Sequence, residues 1–212
     1  MVKAALRNRG RENPYLIWTL QQLYFQLLYV KLFKQYEEHG GRHMAATPSG
    51  NVQAAFRQAM RSIAATVSII TAGDRERGHG MTATAVTSVS LDPAALLVCI
   101  NNHTLLHHIM SSTERFCVNV LAQEHQDLSA AFSGAVAPGE RFSLGDWAET
   151  EEGIKHLASA QARIFCVKKL AVPFGTHTVF IGEVHDVQLS DRSAPLLYQN
   201  ATYCRSIPMA SG

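Results

Sequence analysis

The sequence predicts a mainly β fold with flanking helices, in which an antiparallel sheet closes into a small barrel. Three features predict it. Short β-branched or alternating segments recur along most of the chain, most of the turns between them are too short for parallel crossovers, and helical periodicity is confined to three patches. With 212 residues and 47% hydrophobic content, there is enough apolar material for one globular core, or for one domain with an appendage.

In chain order, residues 1–43 stand apart, being rich in Leu, Tyr and Gln between basic ends, with no charge from Asn13 to Val30. That run barely reaches the length of a membrane span, and Gln21, Gln22 and Gln26 interrupt it. A largely apolar wheel favours a helix docked on protein or lipid, and the lack of a small-residue cleavage site argues against a secretory signal. The segment ends in GGRHM, where His43 and Met44 are what a common cloning site encodes. Residues 1–43 are therefore expected to be an N-terminal extension, either cloning-derived or a docking helix, ahead of one domain over 44–212.

From Asn51 onward, Val52, Ala55, Phe56, Ala59, Met60 and Ile63 recur at three- and four-residue steps and predict an amphipathic helix, with Asn51 or Ser49 placed to cap it. ATVSIITAG at 65–73 reads as a strand, and DRERGHG as the polar turn of a hairpin into GMTATAVTSVSLDP at 80–93. Taken as one strand, that stretch puts Thr82, Thr84, Val86, Ser88 and Ser90 on one face and Ala83, Ala85, Thr87, Val89 and Leu91 on the other. Further strands are expected at 95–100, 115–121, 161–170 and 176–189, with a short one at 196–198, and helices at 104–111 and 124–132.

Composition removes several function classes. A formal charge of +2 and a charged content of 17% leave no broad basic face for a phosphate backbone, so nucleic acid is not an expected partner. Cys99, Cys117, Cys166 and Cys204 lie far apart with no CxxC pair, as expected of buried thiols in a reducing cytoplasm. His103, His107 and His108 cluster, but no acidic or thiol ligand lies beside them, so no metal site is expected. Neither GxGxxG nor GxxxxGK[ST] occurs, and there is no GxSxG, HExxH or carboxylate dyad for hydrolysis.

Four segments carry candidate chemistry. The hydroxyl-lined face of 80–93 is either an ordinary half-exposed strand or the wall of a pocket that lets a flat ligand approach the backbone. In CINNHTLLHHI at 99–109, Asn101 and Asn102 end a strand and Thr104 can cap a helix whose first amides suit an anion; a plain capped turn is the alternative. Asn119 sits inside an apolar strand that leads through Leu121 and Ala122 into a helix, and its amide must bond either to neighbouring backbone or to a ligand. In VPFGTHTVFIGEV at 172–184, His177 opens a strand after Gly175 and is either structural or a binding or catalytic group.

Taken in order, FRQAMRSIAATVSIIT, GMTATAVTSVSLDPAALLVCINN, FCVNVLAQEHQDLSAAFSG, ERFSLGDW and FGTHTVFIGEV resemble the short-chain flavin reductases of two-component aromatic monooxygenases, such as the reductase partner of 4-hydroxyphenylacetate 3-monooxygenase. The likeness runs from about Phe56 to Tyr203. It implies a flavin-binding split β-barrel, a homodimer, that passes hydride from NADH or NADPH to FMN or FAD and supplies reduced flavin to a separate oxygenase. Matching positions imply that Thr82, Ala83 and Thr84 run along the isoalloxazine, with Ser88 and Val89 near the ring or ribityl chain. They also imply that Asn101 and Thr104 meet the phosphate, and that Asn119, Leu121 and Ala122 border the flavin. His177 matches the catalytic block beside the nicotinamide, which Tyr198 and Tyr203 would close. The chain departs from that pattern at NHTLLHH, residues 102–108. A flavin-dependent corrinoid reductase and a non-catalytic flavin-binding module remain the alternatives, because the final electron acceptor does not transfer with a fold.

Overall fold

A computed structural model describes residues 50–209 other than 75, 192, 193 and 208; the expectations for residues 1–43 and for Ser49 as a cap lie outside what it describes, as does the side chain of Asn51, which lies within the first helix. The sheet, core and cavity below belong to the compact unit Phe56–Gly212.

The described residues begin with helix α1 (Gly50–Ser62), whose Phe56 and Met60 are exposed, as is Ile63 just beyond its end. After β1 (Ala65–Thr66), β2 (Ser68–Gly73) pairs with β3 (Gly78–Ala83) across a turn that Asp74 organises, its Oδ1 accepting from the N–H of Glu76 and Arg77 at 2.9 Å. The next strand is β4 (Val86–Leu91), so the expected continuous strand over 80–93 is broken at Thr84–Ala85, where the N–H of Val86 donates to the carbonyl of Thr84 at 3.0 Å. The alternation assigned to its two faces therefore does not persist across the break.

The break has a topological cause. β5 (Ala94–Asn101), β6 (Arg115–Val120), β9 (Ala162–Phe174) and β10 (His177–Leu189) complete an antiparallel seven-stranded sheet in the order β3-β2-β6-β9-β10-β5-β4. β3 and β4, consecutive in sequence, are its two opposite edges. The two residues Thr84 and Ala85 thus carry the chain from one edge to the other, which requires the sheet to roll up and leaves a split between those edges. This agrees with the expected mainly β, split-barrel class.

Alternation explains the core. β2 is buried along its whole length, with Ile70 and Ala72 facing one apolar cluster and Ile69 the other. The first cluster contains Val98, Ile100, Phe116, Val118 and Phe180, and is plugged by Leu106 and Met110, one turn apart on α2 (Leu105–Ser112). Gly182 makes room for it, since a Cβ there would stand 2.5 Å from the Phe116 ring. The second cluster gathers Leu121, Leu128, Phe132, Leu157 and Leu196. Its cover is the helical stretch expected at 124–132, which forms as a turn at Gln123–His125, α3 (Gln126–Ala130) and a wide turn at Ala131–Ala135.

Two small sheets went unpredicted in part: the hairpin β7 (Trp147–Glu149) with β8 (Lys155–Leu157), and β12 (Thr202–Arg205), which joins β1 and the expected β11 (Leu196–Gln199). All four cysteines are free, and burial pushes the thiols of Cys117 and Cys166 up, that of Cys166 to about 12. Both stay protonated and act as core side chains.

Candidate active site

A cavity of about 850 Å3 lies where the sheet is split, a size within the usual range for cofactor sites. Its walls come from four places. Met81, Thr82, Ala83, Thr84 and Ala85 line it from the edge-to-edge crossing, Cys99, Asn101 and His177 from the ends of β5 and β10, and Gln126, Ser129, Ala130 and Ser133 from the α3 region. Tyr198, Ala201, Thr202 and Tyr203 close it from the β11–β12 hairpin.

Each wall has a local reason. The small side chains at 83–85 leave the backbone accessible at the kink. Asn101 and His177 are register partners across β5 and β10, so their side chains share one face at the cavity rim. Asn101 Oδ1 accepts from the His103 N–H at 2.9 Å, fixing the turn that follows. His177 Nδ1 lies 2.9 Å from the Thr176 hydroxyl, which orients the ring. The β11–β12 turn holds Asn200 and Ala201 at positive φ, 51° and 60°, the conformation a two-residue hairpin needs. It sets Tyr198 and Tyr203 edge to face at 5.3 Å, with the Tyr203 hydroxyl 2.9 Å from that of Ser129.

The structure therefore brings Thr82, Ala83, Thr84, Asn101, His177, Tyr198 and Tyr203 to one cavity. It does not bring the remaining six expected residues there. Ser88 and Val89 are exposed on edge strand β4, beyond the kink. Thr104 spends its hydroxyl on the helix cap, donating to Asn101 O at 2.8 Å and accepting from the His107 N–H at 3.2 Å. Asn119 is wholly buried and satisfied internally: its Nδ2 donates to Ile69 O at 2.9 Å and to Thr71 Oγ1 at 3.2 Å, and its Oδ1 accepts from the Leu157 N–H at 2.8 Å. Leu121 belongs to the second core cluster, and buried Ala122 donates its N–H to His125 Nδ1 at 3.1 Å. Thr82 lines the cavity, yet its hydroxyl donates to Ser129 O at 2.7 Å.

Sequence reasoning missed Cys99, Ser129, Ser133 and the Ala201–Thr202 turn. Cys99 was legible as the residue two positions before the Asn101 strand end, on the same alternating face as Asn101. The turn had a weaker signal in Asn200, a residue that tolerates positive φ.

None of the described residues lining the cavity is Lys, Arg, Asp or Glu. Hydroxyls, an amide, one imidazole and small apolar side chains suit a flat, polar-edged ring held by contact and hydrogen bonds, with no acid–base dyad. A rolled antiparallel sheet with such a slot at its split is the architecture of a flavin-binding split barrel. Residues 60–206 match the flavin reductase like domain, and the chain belongs to that family.

Relatives agree. Over 156 residues the chain is 51% identical to the reductase component of the FADH(2)-dependent resorcinol hydroxylase of Rhizobium sp. strain MTP-10005, covering 72% of this chain and 87% of that protein. It is 36% identical to the 4-hydroxyphenylacetate 3-monooxygenase reductase component of Pseudomonas aeruginosa, covering 72% and 91%. Among solved structures, the NADH:FAD oxidoreductase of Streptomyces globisporus C-1027, in complex with NAD and FAD fragments, superposes with a TM-score of 0.70 at 27% identity, covering 77% of this chain and 97% of that one. The expected family, enzyme class and cofactor types are thereby borne out.

Proposed function

We propose that this protein is an NAD(P)H:flavin oxidoreductase that hands reduced FMN or FAD to a separate oxygenase. The observation that carries the reading is the cavity at the split, with small residues on one wall and Asn101 and His177 facing it from paired strands. The flavin, when bound, supplies the electron-accepting ring. The chain supplies position: Ala83 and Thr84 admit the ring against the backbone, Asn101 meets its polar end, and His177 borders the nicotinamide. Tyr198 and Tyr203 close the cavity from the β11–β12 hairpin and exclude water. No side chain is asked to move a strongly held proton, in keeping with the lack of carboxylates.

We further propose a cytoplasmic homodimer. Its support is an apolar face on the outer side of the sheet: Leu170, Val172 and Phe174 of β9 are 55%, 38% and 74% exposed, and their register partners across β10 are Ile181, Val179 and His177. That face reaches the cavity rim at His177 and is too apolar to be left in water. The free cysteines accord with a reducing compartment. The deciding assay crosses FMN and FAD with NADH and NADPH and follows absorbance at 340 nm. Nicotinamide oxidation that saturates in flavin is expected; stoichiometric flavin binding with no oxidation overturns the reading.

A further inference from the structure

Residues 102–108 do not line the cavity, yet they are wired to it. Thr178, next to His177 on β10, lies on the opposite side of that strand, and Asn102 follows Asn101 in the turn just beyond β5. There they join a directed chain of hydrogen bonds. The Thr178 hydroxyl donates to Asn102 Oδ1 at 2.9 Å, and Asn102 Nδ2 donates to Gly175 O at 3.4 Å. The Asn102 N–H donates to Thr176 O at 3.0 Å, so both links end on the two-residue turn that delivers His177.

His107, on the first turn of α2, begins the chain. Its Nε2 lies 2.9 Å from Thr178 Oγ1. Because the Thr178 proton is committed to Asn102, that oxygen accepts from His107, which fixes the neutral tautomer protonated on Nε2. His107 Nδ1 is buried with no partner, and the ring packs on Phe180 at 5.7 Å. A second proton at Nδ1 would have nothing to donate to, and burial accordingly holds the imidazole below its ordinary value. Gly175, at φ 56°, has open space where a side chain would be, so the turn is held by its backbone and by Thr176.

We propose that His107 is a positioning residue for the reductase reaction, holding the Gly175–Thr176 turn through Thr178 and Asn102 and so placing His177 at the nicotinamide side of the cavity. The inference rests on the reading of His177 given above. It acts from outside the cavity, so it governs nicotinamide placement and leaves flavin binding alone.

The test uses His107→Ala, Thr178→Val and the conservative His107→Gln, whose amide nitrogen can replace the Nε2 donor. His107→Ala and Thr178→Val are expected to raise the nicotinamide KM about fivefold to tenfold with kcat within about twofold and flavin Kd unchanged, while His107→Gln restores the parent value. On the ligand-free protein, hydrogen exchange at the Asn102 amide is expected to quicken about tenfold in the first two variants, with the Val118 amide in the core unaffected. Nitrogen NMR of His107 is expected to show Nε2 protonated. His107→Gln behaving as His107→Ala, an unchanged Asn102 exchange rate, or an Nδ1-protonated ring each overturns the proposal. If His177→Ala leaves the nicotinamide KM unchanged, the reading of the site falls instead, and the ligand-free exchange and tautomer decide the network alone.

Discussion

Two polar inlays in the same sheet behave in opposite ways. Around Asn119, donors and acceptors are matched inside the protein: Ile69 O, Thr71 Oγ1 and the Leu157 N–H use the amide, and Thr71 in turn donates to Lys155 O at 2.6 Å. Around Thr84, Ala85 and Asn101, the groups stand at a cavity instead. Both inlays interrupt apolar strands with small polar residues, so composition does not separate them. The difference is closure: a polar group whose partners are all protein is a cross-link, and one left facing a void is available to a ligand.

The sharpest way to break this contrast is to open the closed inlay. Asn119→Ala strands the Leu157 N–H in the core and leaves a void, so a loss of about 3 kcal/mol in unfolding free energy is expected by denaturant titration. Flavin affinity of the folded fraction should stay within about twofold. A large affinity loss with little change in stability would show that Asn119 serves the ligand after all.

Acid probes the closed groups collectively. His79 and His125 are buried, and burial, ahead of the Arg141 charge for His79, holds both below the ordinary 6.5. For a group with a depressed folded pKa, the unfolded chain binds more protons below 6.5, so its contribution is complete above that pH and is lost as pH falls further. His125 illustrates the cause: its Nδ1 accepts from the Ala122 N–H, while Nε2 meets the Ser159 hydroxyl at 3.0 Å, which donates to Asp146. Stability should be flat from about pH 8 to 7 and fall by at most about 1.4 kcal/mol per pH unit for each histidine below 6.5, read from melting temperatures.

Much of this was legible in the sequence, for reasons that differ by element. β2, β6 and β10 were readable because a β-branched or alternating run needs only its own residues to declare itself. The break at Thr84–Ala85 was not, since nothing in TATAV forbids a straight strand; the kink exists because β3 and β4 belong to opposite edges of a rolled sheet. His177 and Asn101 were found because both end strands at turns marked by Gly175 and Asn102. Asn119 was legible as a buried amide, but whether backbone or ligand satisfied it depended on Leu157, 38 positions away. Helix α3 contributed Ser129 to the cavity through packing that no local pattern encodes.

The open inlay can be filled without touching the core. Thr84 is exposed and lines the cavity, so Thr84→Leu should change stability by less than about 0.5 kcal/mol while weakening flavin binding about tenfold by fluorescence quenching. Unchanged flavin affinity would move the ligand away from the kink.

Thr82 stands between the two cases and gives the finest test. It lines the cavity, which places it with the open inlay, but its hydroxyl is committed to Ser129 O, which places it with the closed one. Ser129 O also accepts from the Ser133 hydroxyl at 2.8 Å, so removing the Thr82 donor does not leave that carbonyl bare. Thr82→Val keeps the shape of the wall and should therefore cost about 1 kcal/mol of stability or less, with flavin Kd within about twofold. If closure is the property that separates fold from site, the wall matters here through its shape and the hydroxyl does not; a tenfold loss of flavin affinity would show that the Thr82 hydroxyl turns from Ser129 to the ligand when the ligand arrives.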